Sequence, residues 1–273
     1  AALLLAACSA VQLGYRNADT FLYWWLDKYA DFDDAQSVLV RRKIADYLAW
    51  HRRNELPRYA SLLDDFANRA MADITPTQVC DDWARVSDVL RDDVRHTTPD
   101  AAALAVTLSS AQVERVKKQL DKNNREFDEK YRSASPAKLR ENRLDAATDR
   151  LEWLYGSISA AQQAQLGKLL DMSPWDGNRW AAERRRRQQE LLQLLSEAQR
   201  QPQAAVQQRI NAYWDRVENV PDAATQQWLD TLTRYNCRFT AQAHDLMTPQ
   251  QRRHARDKLR SLAADLRELA SQP

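Results

Sequence analysis

The 273-residue chain has only four glycines, three cysteines and four histidines, and each shortage narrows what it can do. A loop that must adopt positive φ or bring backbone close to a phosphate needs glycine. Gly14, Gly156, Gly167 and Gly177 stand singly, so no phosphate-cradling loop is present. His51, His96, His244 and His254 show no i,i+4 ligand spacing, and neither Cys80 nor Cys237 has a partner motif nearby, so neither metal nor cofactor is expected. A net charge of +2 gives no electrostatic case for nucleic acid. No nucleophile elbow or histidine-centred arrangement is recognisable. A helical glycosidase would need a buried glutamate of raised pKa, and Glu55, beside Leu56, Pro57 and Tyr59, is the one place to look for it.

What the chain does have begins at its first residues, AALLLAACSA. Leu3, Leu4 and Leu5 followed by Ala6-Ala7-Cys8 have the form of an apolar signal region running into a small-residue cleavage site, and the run is too short to span a bilayer. The alternative is a buried N-terminal helix. Residues 1–7 are thus expected to be the remnant of a signal peptide, 8–18 a lipidated tether and 19–273 a helical domain, with a cut near 133 as the natural place for any subdivision. The stretch resembles the lipobox of bacterial lipoproteins. That resemblance implies a lipid on Cys8, a membrane-anchored periplasmic location and, from Ser9 in place of Asp, the outer membrane. Cys80 and Cys237 would then remain as a pair, forming a disulfide in an oxidising compartment or staying as two buried thiols.

From Asp19 onward nearly every segment reads as helix. Val79, Trp83, Val86, Leu90 and Val94 fall on one face at three- and four-residue steps, as do Val113, Val116, Leu120, Phe127 and Tyr131. Further stripes run through Trp228, Leu232, Tyr235 and Phe239, and through Ala255, Leu259, Leu262, Leu266 and Leu269. The remaining helices are expected near 19–30, 34–53, 55–72, 136–155, 160–171, 178–200 and 203–218. Pro57, Pro99, Pro136, Pro174, Pro202 and Pro221 fall at expected breaks or first turns. The fold class is all-α, a bundle of about ten helices.

Four short stretches repeat one pattern: ITPTQ, LSSAQ, ISAAQ and MTPQQ. Each sets a hydroxyl three residues before a glutamine, giving the pairs Thr75/Gln78, Ser109/Gln112, Ser159/Gln162 and Thr248/Gln251. This is the spacing of a capping box, in which each side chain satisfies a backbone N–H of the other residue. Capping accounts for Ser or Thr but leaves four glutamines unexplained, because glutamate caps as well and suits the helix dipole better. The pattern resembles the Leu-Thr-x-x-Gln motif of the periplasmic Spy/CpxP family, which implies an ATP-independent chaperone or an envelope-stress adaptor. A second resemblance covers nearly the whole chain. CSAVQLGYRNADTFLYWWLDKYADFDDAQ (8–36), AWHRRNELPRY (49–59) and ITPTQVCDDW (74–83) resemble an uncharacterised family of Gram-negative lipoproteins, which implies an anchor and a helical fold but no activity.

Two clusters remain. Phe21, Tyr23, Trp24, Trp25 and Tyr29 could be core, or could lie against a bilayer or a membrane partner. Arg179, Arg184, Arg185, Arg186, Arg187, Arg200 and Arg209 outnumber Glu183, Glu190 and Glu197 by four charges between 179 and 209. That row could hold acidic clients, lipid phosphates or anionic glycan, or could be a solvated face laced with pairs such as Glu183/Arg187. The expected function is non-enzymatic binding of periplasmic or other envelope proteins, as a Spy-like holdase or stress adaptor. The alternatives are a structural partner in an outer-membrane or wall assembly and, third, a wall-degrading enzyme. An apolar groove bordered by arginine would favour the first, a flat hydrophobic patch the second, a deep cleft with a buried Glu the third.

Overall fold

A computed structural model describes residues 10–272, and among these every regular element is an α-helix. Twelve follow in order: α1 (Ala10–Arg16), α2 (Ala18–Ala30), α3 (Asp34–Asn54), α4 (Leu56–Arg69), α5 (Pro76–Ala105), α6 (Ser110–Tyr131), α7 (Pro136–Tyr155), α8 (Ala160–Asp171), α9 (Gly177–Ala198), α10 (Gln203–Glu218), α11 (Ala223–Asp245) and α12 (Pro249–Ser271). The all-α bundle is thus the observed fold, with α1 occupying most of the stretch expected to be a tether. Buried Gln12 fixes α1 to α12, donating to Asp265 at 3.1 Å and Glu268 at 2.8 Å. Cys8, the expected site of lipid attachment, lies outside the described residues.

The apolar stripes bury three clusters rather than one. Ala102, Leu194, Val206 and Ile210 join α5, α9 and α10. Tyr155, Leu166, Ala243 and Ala255 join α7, α8, α11 and α12. Tyr23, Val40 and Ile44 join α2 and α3. The halves on either side of residue 133 interleave: α12 lies along α4, while α10 and α11 both pack on α5. Cys80 of α5 and Cys237 of α11 form a disulfide across the same boundary, with Cα atoms 5.4 Å apart. Closing so long a loop stabilises the fold by about 4–5 kcal/mol in the chain-entropy account.

One proline departs from expectation. Pro99 lies inside α5, not at a break. An interior proline costs about 3 kcal/mol in lost bonding and clash. Here Ala102 and Ala105, one turn on, are sealed into the α9–α10 cluster, and that packing holds the helix through the proline. In the preceding turn Thr97 and Thr98 both donate their hydroxyls to Val94 O.

Candidate functional site

The repeated motif resolves into structure first. All four hydroxyls cap a helix and all four glutamines close the box on the N-cap N–H. A fifth copy, FDDAQ, starts α3 with Asp33 as the cap and Gln36 as its partner; a search for hydroxyls passes over it. Four of the five are joined in pairs. Gln36 and Gln112 exchange side-chain amide bonds at 2.6 and 3.2 Å, and Gln162 and Gln251 do so at 2.8 and 3.2 Å. Each glutamine then gives its second N–H to a backbone carbonyl two residues before the partner's cap: Thr107 O, Asp31 O, Leu246 O and Ser157 O. Both donors and both lone pairs of every amide are used. Glutamate could complete its own box but has no N–H to donate, and two of them would repel; the joint therefore requires glutamine. Gln78 closes only its own box.

The arginine row turns inward. Arg186 and Arg187 converge on Glu183, which is 4% exposed, at 2.8 and 2.5 Å. Burial pushes the Glu183 carboxyl up, but the two guanidinium groups outweigh it and hold the pKa below the ordinary value. Arg185 reaches Asp128 of α6, Arg186 also meets Glu190, and Arg184 lies 5.0 Å over the Phe127 ring. These four side chains are half-buried. They tie α9 to α6 and α10, and of the four Arg184 alone has no carboxylate partner among the described residues. Of the two readings of this row, the paired one holds, Glu183/Arg187 included, though the row is half-buried rather than solvated, because Glu183 and Glu190 of α9 itself and Asp128 of α6 meet it.

The aromatic cluster of α2 splits. Tyr23 is core, bonded to Ser37 at 2.9 Å beneath Arg41. Phe21, Trp24 and Trp25 remain 58–60% exposed. Glu55 is buried but salt-bridged to Arg58, which also binds Asp92, and it lines none of the larger cavities. His244 is likewise committed. Its Nε2 meets the carbonyl of Ala72 at 2.8 Å and therefore carries the proton, leaving Nδ1 to accept from Tyr155. Burial lowers the His244 pKa and pushes Tyr155 up to about 12.

One wide opening was not marked by any motif. It is a groove of about 580 Å³ among α6, α7, α9, α11 and the α8–α9 turn. Phe127, Tyr131, Trp175, Trp180, Tyr235 and Phe239 form its walls, with Arg143 and Arg150 from α7 among them. Arg143 lies 5.0 Å over Trp175 and donates to Leu170 O at 3.1 Å; burial lowers its pKa. Trp175 is set by Gly177, where a Cβ would stand 2.8 Å from Tyr131 O and 3.0 Å from the Trp175 ring. Among the described residues neither Arg143 nor Arg150 forms an ion pair. The groove thus offers apolar walls and two cations with no carboxylate among its lining residues, Asp171 acting on Arg143 only from outside it. Its stripes were visible as Phe127 and Tyr131 on α6 and as Leu232, Tyr235 and Phe239 on α11, but periodicity does not tell a sealed stripe from one lining a gap.

Residues 28–220 match the model of a family of unknown function, DUF6279, and the chain belongs to that family. No curated relative and no solved structure matches it.

Proposed function

We propose that this member of DUF6279 is a lipid-anchored protein of the outer membrane's periplasmic face that binds other polypeptides, holding partly folded chains without ATP and without catalysis. The observation that carries this reading is the groove: six aromatic rings beside Arg143 and Arg150 suit an apolar segment flanked by acidic side chains. Its volume of about 580 Å³ falls within the range of roughly 300–1,000 Å³ of pockets that bury most of a small ligand, room enough for side chains of a bound segment. The lipobox-like Leu3–Cys8 run supports the anchor, and the resemblance of the repeated motif to that of the Spy/CpxP family supports the chaperone class. The paired caps give that motif a structural duty, joining α3 to α6 and α8 to α12 rather than touching a client.

The test is aggregation of two unrelated unfolded clients, followed by light scattering, with the chain from Ser9 onward at equal molarity. Suppression of both is expected, with loss of suppression in Ala146→Trp, which fills the groove from α7 and should keep the fold. Failure to suppress either client, or equal suppression by the filled variant, would overturn the reading. A structural role in an envelope assembly is the second reading. It is supported by Trp83 and Leu90, both exposed on one face of α5 beside a shallow apolar cavity of about 330 Å³.

A further inference from the structure

Helix α2 has its apolar residues on both sides. Tyr23 and Ala30 face the core with Leu22 and Leu26 beside them. On the opposite side Phe21, Trp24, Trp25 and Lys28 follow at three- and four-residue steps, all exposed. A helix on a protein surface ordinarily presents polar residues there. Phe21 and Trp24 pack edge to face at 6.4 Å, so the rings form a continuous strip rather than isolated side chains. The outward strip contains no carboxylate: Asp27 lies to its side and accepts from the Phe32 N–H, and Asp19 lies on the flank next to Leu22 and Leu26. Lys28 forms no ion pair among the described residues. Leu13, on α1 just before it, is 60% exposed.

From this arrangement we infer that the outward face of α2 docks on a lipid surface, lying in the headgroup layer with its axis along the membrane. Tryptophan takes up this position because its ring is apolar and its N–H still reaches water or phosphate. Lysine beside such a strip extends its stem along the apolar layer and places the ammonium among the phosphates. A protein partner would meet the same rings, but a lone cation with no acid on the strip matches a layer of phosphates. The inference depends neither on the groove nor on an acyl group at Cys8. Docking by α2 orients the bundle on the bilayer, where an acyl chain alone would leave it free to tumble.

The experiment uses the full chain carrying Cys8→Ser, so that no lipid can be attached, with large vesicles of phosphatidylethanolamine and phosphatidylglycerol. Sedimentation with vesicles is measured against lipid concentration. The parent is expected to co-sediment, and Phe21→Ser/Trp24→Ser/Trp25→Ser to lower the partition coefficient at least tenfold with the melting temperature unchanged. Lys28→Glu should lower it two- to threefold, and only when phosphatidylglycerol is present. Ala146→Trp should leave it untouched, so that failure of the groove and failure of the strip are read separately. Equal partition of the triple variant, or no sedimentation of the parent at millimolar lipid, would overturn the inference. So would lipid-free self-association that the triple variant abolishes, which would assign the strip to a second copy of the chain.

Discussion

On α9, Arg185, Arg186 and Arg187 are half-buried and end on Asp128, Glu183 and Glu190. On α2, Phe21, Trp24 and Trp25 leave more than half their surface uncovered. Charge has gone inward and aromatic surface outward, against the average habit of these residue types. What decides the direction is which carboxylates and helices stand within reach. α6 brings Asp128 and α9 itself brings Glu183 and Glu190 within reach of the arginines, whereas among the described residues nothing covers the far side of α2. Clusters that look like binding surfaces in sequence can therefore end as frame or as surface according to residues tens of positions away.

The sharpest way to break this comparison is to remove the carboxylate on which two arginines converge. Glu183→Ala should destabilise the fold by about 2–4 kcal/mol in chemical denaturation, because partly buried Arg187 loses its carboxylate and Arg186 keeps only Glu190. A cost under about 1 kcal/mol would mean that water holds the arginines and that the row is a surface after all. Next in size is the glutamine joint. Gln162→Glu should cost about 1–3 kcal/mol, since it removes two donated bonds and leaves Leu246 O short of a partner. The same change at Gln78, which closes only its own box, should stay within about 0.5 kcal/mol.

Smaller still is the response to pH. His244 is neutral in the fold with its pKa lowered by burial, while an unfolded histidine titrates near about 6.5. Below that value the unfolded chain binds more protons, so stability falls as pH drops through about 6.5. His51, also lowered by burial, adds with the same sign. Melting temperatures measured from pH 8 to 5 should decline toward the acid end, and His244→Gln should flatten the slope. The smallest effect is expected on α2, where Phe21→Ser/Trp24→Ser/Trp25→Ser should leave thermal stability nearly unchanged. A large drop in melting temperature would make the strip part of the core and dissolve the contrast.

The helices were legible because their apolar residues recur at three- and four-residue steps and because Pro76, Pro136 and Pro249 mark first turns. Pro99 was misread because local cost is visible in sequence while the packing that offsets it is not. The caps could be read from Ser/Thr-to-Gln spacing, and even the excess of Gln over Glu was visible. Its cause lay in pairs 76 and 89 residues apart, beyond any local pattern. The groove was the least legible feature. Its rings lie on stripes indistinguishable from core, and Arg143 has no sequence neighbour that marks it as unpaired.

The embrace of α4 by α12 bears on how the chain is made. Ala60, Leu62 and Ala67 of α4 are buried where the last helix lies along them. A chain synthesised from its N-terminus must carry α4 through production of nearly two hundred further residues before its covering helix exists. Loss of the last turns of α12, with Ala263 and Leu269, would thus be felt at the other end of the sequence, as an early helix left without its lid.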